Sequence, residues 1–350
     1  MENPNLAINE TYRKWVNELS THIRQTQIKA AIRVNTELLN LYWNIGQEIV
    51  EKQKEAHWGD GFLKELSKDL SSEFPKMKGF SYRNIRFIKQ WYTFYGEDKA
   101  IWQQVVAKLG ERFFAVPWGH HQYIINRCKT INKAIFYLNS VIENNWSRAI
   151  LLNFLDTDLY ERKGKAVSNF STVLPKPDGD LAQELTKDPY CFDFTDLRDH
   201  YNERQFKDAL IDNIEKYLIE LGTGFAYMGR EYRLEVGSTE QYLDMLFYQV
   251  QLHCYVVIEV KTTEFSPAYI GQIGTYTVAV DHILRREGDN KTIGLLICKT
   301  KDNVIAKYAL ESSNQPIGIS EFELSKLFPE HVEGTIPSIE EIEYKLKDLK

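Results

Sequence analysis

The chain has 350 residues, of which 43% are hydrophobic and 26% are charged. This balance predicts a folded chain with a sizeable core rather than a disordered one, and the length favours two domains over one. The formal net charge is -6, but residues 1–165 carry 24 Lys and Arg against 18 Asp and Glu, whereas the remainder carries 19 against 31. The basic front part, residues 1–165, could bind phosphates, and the acidic rear part, residues 166–350, could bind metal cations. A random distribution of surface charges also produces such counts.

The cysteines, Cys128, Cys191, Cys254 and Cys298, lie far apart and include no CxxC pair. This spacing predicts reduced thiols and neither a disulfide framework nor a zinc site. The N-terminus lacks the apolar run of a signal peptide, and no stretch is long enough to cross a bilayer. We therefore expect a cytoplasmic protein that does not bind membranes.

Residues 1–165 predict an all-α domain. Apolar residues at three- and four-residue spacing indicate a helix over residues 15–51, and a second helix is expected over residues 61–73. Further helices are expected over residues 101–109, 123–145 and 147–160.

A helix-turn-helix is predicted within this domain. The segment FPKMKGFS breaks the helical pattern with Pro75 and Gly79, and Ser81 can cap the helix that follows. The basic residues expected to follow a strip of DNA phosphates are Lys76, Lys78, Arg83, Arg86 and Lys89. A basic helical stripe is also typical of a solvated helix face.

The middle of the chain changes character. Residues 166–195 are polar and contain Pro175, Pro177 and Gly179, so we expect a linker there. An α/β domain is expected over residues 196–335, and a C-terminal helical tail over residues 336–350.

Within the rear domain, helical spacing holds over residues 206–221. Three segments rich in β-forming residues follow, namely EYRLEV, YLDMLFY and CYVVIEVK. A helix near residues 269–286 and two strands, TIGLLICK and NVIAKYAL, complete a mixed sheet.

Charged residues occur in two of these apolar strands. Glu259 and Lys261 end CYVVIEVK and share one face, because strand side chains alternate. Asp244 interrupts YLDMLFY, where an unpaired carboxylate would be costly to bury. Adjacent strands lie about 5 Å apart, so Asp244 and Glu259 can converge on one Mg²⁺ or Mn²⁺ with Lys261 beside it. The alternative is a buried ion cluster without chemistry.

Such a site suits phosphodiester hydrolysis. A metal held by two carboxylates can lower the pKa of a bound water and stabilise charge on the phosphate. Lys261 can orient or help to deprotonate that water, or neutralise the phosphate.

Longer segments carry a resemblance. They are FAYMGREYRLEV and the run from YLDMLFY to GTYTVAVD in the rear, with LYWNIGQEI, WGDGFLKELSKDLSSEFPKMKGFSYRNIRFIKQWY, VPWGHH and NNWSRAILL in front. Nearly the whole chain thereby resembles the YhcG-type family of PD-(D/E)XK nucleases. The resemblance implies a restriction-endonuclease-like mixed sheet flanked by helices, preceded by an all-α domain.

The resemblance also implies roles for individual residues. Asp244 takes the position of the metal-binding aspartate, Glu259 and Lys261 take the two positions of the ExK element, and Gln272 takes the glutamine of the following helix. For Gln272 we expect a role in positioning water or phosphate. Tyr276, one turn away, is as suited to packing as to DNA contact.

The resemblance further implies a first acidic position on the opening helix. Glu220 is our choice and Glu215 is the competitor, since both border the apolar helix face. Either could instead be a solvated surface charge.

The function expected from these residues is that of a Mg²⁺- or Mn²⁺-dependent endonuclease that binds and cleaves DNA. The resemblance implies bacterial recombination, repair or defence against mobile DNA, and we expect a homo-oligomer, a dimer. One alternative is a DNA-binding or assembly protein whose nuclease fold no longer cuts. Another is an RNA substrate.

Overall fold

The structure is a computed structural model that describes residues 10–56, 61–195, 197 and 201–324. The described residues divide into two units, one within Met1–Leu152 and one within Asn153–His331. The predicted tail at residues 336–350 lies outside the described residues. Within the described residues, no helix combines the length and apolar character needed to span a membrane.

The first unit is helical throughout its described part, as the sequence predicts. Its helices are α1 (Glu10–Ala56), α2 (Phe62–Glu73), α3 (Tyr82–Tyr95), α4 (Lys99–Leu109), α5 (Trp118–Arg127), α6 (Ile131–Asn144) and α7 (Arg148–Asp156), the last of which continues into the second unit. The single helix expected over residues 123–145 is two helices, because Thr130 caps a new one by accepting from the Lys133 amide.

Aromatic packing holds the first unit together. Trp91 stacks on Phe113 with ring centroids 5.4 Å apart, and its indole N–H donates to Nδ1 of His121 at 3.1 Å. Nε2 of His121 lies 3.0 Å from the Phe113 carbonyl oxygen. Burial lowers the pKa of His121 to about 3. His121 is therefore a neutral core residue, able to accept the Trp91 hydrogen bond.

Helices α2 and α3 are separated by a short irregular turn. Ser81 accepts a hydrogen bond from the Asn84 amide, which confirms the predicted cap. Arg83 and Arg86 are exposed and Lys89 is half-buried on the same helix. A helix-turn-helix that binds DNA stays a prediction.

The second unit is a seven-stranded mixed sheet with helices. Its helices after α7 are α8 (Leu159–Arg162), α9 (Phe170–Val173), α10 (Lys176–Leu185), α11 (Glu203–Asp212), α12 (Ile214–Leu221), α13 (Ala268–Ile283) and α14 (Asn303–Glu311). Its strands are β1 (Val167–Ser168), β2 (Tyr190–Cys191), β3 (Phe225–Val236), β4 (Thr239–Gln249), β5 (Cys254–Glu264), β6 (Ile293–Thr300) and β7 (Ile317–Glu323).

The strand order is β1-β7-β6-β5-β4-β3, with β2 beside β7. Strands β3, β4 and β5 pair antiparallel, and β5, β6 and β7 pair parallel. Two hydrophobic cores cover the sheet, one shared with α11 and α12 and the other with α13 and α14. The predicted mixed sheet flanked by helices is confirmed.

The strand predicted from NVIAKYAL is wrong, because this segment forms α14. Asp302 precedes it and accepts hydrogen bonds from the amides of Val304 and Ile305 at 2.8 and 3.0 Å. These bonds satisfy amides that a helix start leaves free, so the capping residue overrides the β-forming side chains.

The segment expected to be a linker, residues 166–195, is folded within the second unit. Strands β1 and β2 pair with β7. Pro175 immediately precedes α10, and a Cβ at Gly179 would lie 2.9 Å from the Phe170 carbonyl oxygen. Pro175 therefore marks the start of a helix, and Gly179 allows α10 to pack closely against the backbone of Phe170. Neither residue indicates a linker.

Candidate active site

The candidate site lies where β4 and β5 separate. Their ladder ends at the pair Met245 and Ile258, after which β4 continues with β3 and β5 continues with β6. Just beyond the last pair, the Asp244 amide donates to Oε1 of Glu259 and the Val260 amide donates to Oδ2 of Asp244, each at 3.2 Å. We call the point where β4 and β5 separate the fork. The two carboxylates thus accept hydrogen bonds from the backbone amides that have no partner strand at the fork.

Three further charged side chains, Lys261, Glu203 and Lys207, lie beside these two carboxylates. We call the five residues Asp244, Glu259, Lys261, Glu203 and Lys207 the fork cluster. Nζ of Lys261 lies 3.4 Å from Oε2 of Glu259 and 3.3 Å from Oε1 of Glu203. Nζ of Lys207 lies 3.2 Å from Oε1 of Glu203 and 2.6 Å from Oδ1 of Asp244. Carboxylates and ammonium groups therefore alternate around the cluster, which brings together the three residues predicted from the strands.

Glu203 and Lys207 were missed by the sequence reasoning, which begins the opening helix at Phe206. The structure begins α11 at Glu203, with Asn202 and Gln205 forming a reciprocal capping box. A capping residue followed three positions later by Gln is a recognised helix-start signal, and Glu203 and Lys207 are four residues apart on the helix. That signal would have placed both residues on the helix beside the strands.

The pKa values of Glu259, Lys261 and Lys207 are all raised, for different reasons. Burial, reinforced by the charge of Asp244, raises the pKa of Glu259, and Lys261 partly offsets this rise. Burial lowers the pKa of Lys261 and of Lys207, but the neighbouring carboxylates outweigh it, so both pKa values are raised. The cluster keeps its two ammonium groups charged and disfavours ionisation of its most buried carboxylate.

Helix α13 reaches the cluster through Tyr269. Its ring centroid lies 5.6 Å from Nζ of Lys261, and its hydroxyl is 3.1 Å from the Thr263 hydroxyl. Gln272 is exposed and donates to the Tyr276 hydroxyl at 3.0 Å. Tyr276 is buried in the core under α13. Gln272 therefore lies on the helix that borders the site, and its catalytic role stays a prediction.

Glu220 is held elsewhere. Its Oε1 accepts from Arg162 at 2.5 Å and from the Cys191 amide at 2.9 Å, and both side chains of the ion pair are buried. Glu215 is exposed at the start of α12. The structure does not bring either residue into the fork cluster, because the opening helix is broken into α11 and α12 and the cluster lies against α11.

The carboxylates of the fork suit a divalent ion. Oε2 of Glu259 is buried and makes no hydrogen bond in the described structure. In the described ranges, no group of three or more His, Cys, Asp or Glu is arranged to hold a metal ion. Within the fork cluster, Lys207 and Lys261 lie between Glu203 and the other two carboxylates. Mg²⁺ is commonly bound through only one or two carboxylates, with water or phosphate completing its shell, so Asp244 and Glu259 fit it.

Both parts of the chain match models of known protein families. Residues 183–337 match the family model described as the YhcG PDDEXK nuclease domain. Residues 18–162 match the model described as the DUF1016 N-terminal domain. The YhcG protein of Escherichia coli (strain K12) is 27% identical over 325 residues, which cover 83% of this chain and 84% of that protein.

Two solved structures also show partial likeness. A repair endonuclease from Pyrococcus abyssi is 18% identical over 38% of this chain and 50% of its own, with a TM-score of 0.25. A complex of EndoMS with double-stranded DNA is 19% identical over 39% of this chain and 51% of its own, also with a TM-score of 0.25. The chain thus spans about half the length of these two structures.

The rear domain is a nuclease domain of the PD-(D/E)XK type, since the family match covers the sheet that carries Asp244, Glu259 and Lys261. This class comprises hydrolases that act on nucleic acid. The match of the helical front half and the similarity to YhcG extend this likeness over most of the chain.

The buried pair of Arg162 and Glu220 predicts a structural role for Glu220. Replacing Arg162 with Ala leaves a buried carboxylate without its cation, and we expect the free energy of unfolding to fall by roughly 3–5 kcal/mol. The exposed Glu215→Gln serves as the control and should change it by less than about 0.5 kcal/mol. Urea-induced unfolding measures both. Wild-type stability of Arg162→Ala would contradict the assignment.

Proposed function

We propose that this protein is an endonuclease that hydrolyses DNA phosphodiester bonds with Mg²⁺ or Mn²⁺ at the fork of β4 and β5. The observation that carries the proposal is the convergence of Asp244, Glu259 and Lys261 at that fork. Two carboxylates supply hard oxygen ligands, and the ammonium group beside them stays charged because carboxylates surround it.

Each residue of the fork has a task in this chemistry. Asp244 and Glu259 hold the ion, and hydrogen bonds from the backbone fix one oxygen of each carboxylate. The bound ion lowers the pKa of a coordinated water and stabilises charge on the phosphate. Lys261 orients the attacking water or neutralises the phosphate, and the ring of Tyr269 limits where its ammonium group can lie. Gln272 positions water or phosphate from the edge of the site.

DNA is the proposed substrate because the helical front half offers a basic surface. Lys76, Lys78, Arg83 and Arg86 are exposed, and Lys89 is half-buried. This surface positions the duplex without reading its sequence, since lysine and arginine contacts to phosphates carry no base information. We place the activity in recombination, repair or defence against mobile DNA.

We also propose that the protein acts as a dimer. The first turns of α1 carry an exposed apolar stripe at helical spacing, formed by Tyr12, Trp15, Leu19 and Ile23. Exposed apolar surface of this kind is typical of protein interaction sites. A second copy that presents the same stripe would bury it.

Substitution of the fork residues tests the proposed activity. With plasmid DNA and Mg²⁺, we expect Asp244→Asn and Lys261→Met each to lower the cleavage rate at least about a hundredfold, because each removes a group that acts in the transition state. Glu264→Gln, at the exposed end of the same β5 strand, is the matched control and should cut like the wild type.

Gel analysis of nicked and linear products, with and without chelator, gives the readout. Equal cutting by the wild type and the two fork variants would refute the mechanism. Salt-dependent binding without metal-dependent nicking would favour the non-cutting alternative. Faster cleavage of an RNA oligonucleotide than of a DNA oligonucleotide of the same sequence would show that RNA is the preferred substrate.

The basic surface gives a separate prediction about binding. Replacing Arg83, Arg86 and Lys89 together with Gln should weaken duplex binding and reduce the slope of log K against log salt by about 2–3, since each phosphate contact contributes about 0.9. The same charge change at exposed residues of other segments, Lys99, Lys108 and Arg112, is the control. Fluorescence anisotropy at several salt concentrations measures both slopes. An equal reduction by the two triple variants would contradict the assignment.

A further inference from the structure

The fork cluster contains a second lysine, Lys207. The proposed hydrolysis uses two carboxylates and the ammonium group of Lys261, and it does not require Lys207. Lys207 lies one turn after Glu203 on α11, and its Nζ hydrogen-bonds Oδ1 of Asp244 at 2.6 Å. This is the shortest ion pair of the cluster. The contact links the opening helix directly to the proposed metal ligand.

The two oxygens of Asp244 have different partners. Oδ2 accepts from the Val260 amide, a contact fixed by the backbone of β5. Oδ1 accepts from Lys207, a contact made by a long side chain. A metal ion can therefore bind Oδ1 without breaking the hydrogen bond from the Val260 amide to Oδ2. In this structure, Lys207 hydrogen-bonds Oδ1.

A metal ion and Lys207 cannot share this oxygen comfortably. Mg²⁺ binds its oxygen ligands at about 2.0–2.1 Å. With Nζ of Lys207 at 2.6 Å from the same atom, the two cations would lie at most about 5 Å apart. Their repulsion in a partly buried site disfavours that arrangement, so binding of the ion requires Lys207 to move.

The two lysines differ in how freely they can move. The Lys261 side chain is 13% exposed, starts from a central strand, and lies between Glu203, Glu259 and the Tyr269 ring. The Lys207 side chain is 25% exposed and starts from a helix that borders the cluster. Lys207 can swing towards solvent on its flexible stem without disturbing the sheet, whereas Lys261 cannot.

We propose that Lys207 is a tethered counter-ion that occupies the metal-binding oxygen of Asp244, is displaced when the divalent ion binds, and then contacts a phosphate of the nucleic acid. In the metal-free protein it balances the charge of Asp244 and Glu203. After displacement its ammonium group lies at the mouth of the site, where the substrate backbone carries negative charge. The contact between Lys207 and a phosphate rests on the proposed function. The competition between Lys207 and the metal ion does not.

Calorimetric titration of the full chain with Mg²⁺ tests the competition directly. We expect Lys207→Met to bind Mg²⁺ about fivefold more tightly than the wild type, because the ion no longer displaces a bound ammonium group. Arg204→Met removes the same charge from an exposed position on the same helix, so it controls for the general loss of a cation and should bind like the wild type.

Lys207→Arg refines the test, because the guanidinium group keeps the charge and the contact with Asp244. Its Mg²⁺ affinity should stay near that of the wild type. Weaker or unchanged Mg²⁺ binding by Lys207→Met would overturn the competition and show that Lys207 instead supports Asp244. Tighter binding by Arg204→Met to the same extent would also overturn it.

Cleavage kinetics test the second step. At saturating Mg²⁺, Lys207→Met should show a higher KM for DNA and a kcat/KM lowered at least about tenfold, with partial recovery in Lys207→Arg. Wild-type KM and kcat in Lys207→Met would overturn the phosphate contact. If no chain cuts any nucleic acid but the Mg²⁺ titrations behave as expected, the proposed function fails while the competition stands.

Discussion

The parting of β4 and β5 is the constraint on which the rest of the site depends. A sheet that divides leaves amides on both strands without partners, and here the Asp244 and Val260 amides are satisfied by carboxylates. This solution places two negative side chains next to each other in a half-buried setting. Their repulsion is relieved by Lys207 and Lys261, or by a divalent ion. The same contacts that complete the fold therefore also assemble the candidate site.

Basic and acidic residues are distributed unevenly between the front and the rear of the chain. The helical front carries more basic than acidic residues, whereas the rear carries the reverse. Within the acidic rear, the fork cluster contains both lysines that the described structure brings to the carboxylates, Lys207 and Lys261. A different family model matches each part, residues 18–162 in front and residues 183–337 in the rear.

The strand part of the site was predictable because charges in apolar strands contradict their local pattern. That contradiction identified Asp244, Glu259 and Lys261, and alternation along β5 placed the last two together. Glu203 was not identified, because its helix starts with a polar capping segment and the apolar face begins only afterwards. Glu220 follows the apolar pattern of α12 but depends on Arg162, a contact across 58 residues that periodicity does not encode. Long-range partners and helix starts limited the sequence reasoning, and the helix start at Asp302 also led to the wrong strand prediction for NVIAKYAL.

The central claim is that the carboxylates at the fork bind a divalent ion. Anomalous diffraction from crystals soaked in Mn²⁺ tests it most directly, because the ion itself gives the signal. The account predicts one strong peak bonded to an oxygen of Asp244 and an oxygen of Glu259, with Nζ of Lys207 moved away from Asp244. An intact fork without a peak at saturating Mn²⁺, or a peak bound by other residues alone, would contradict it.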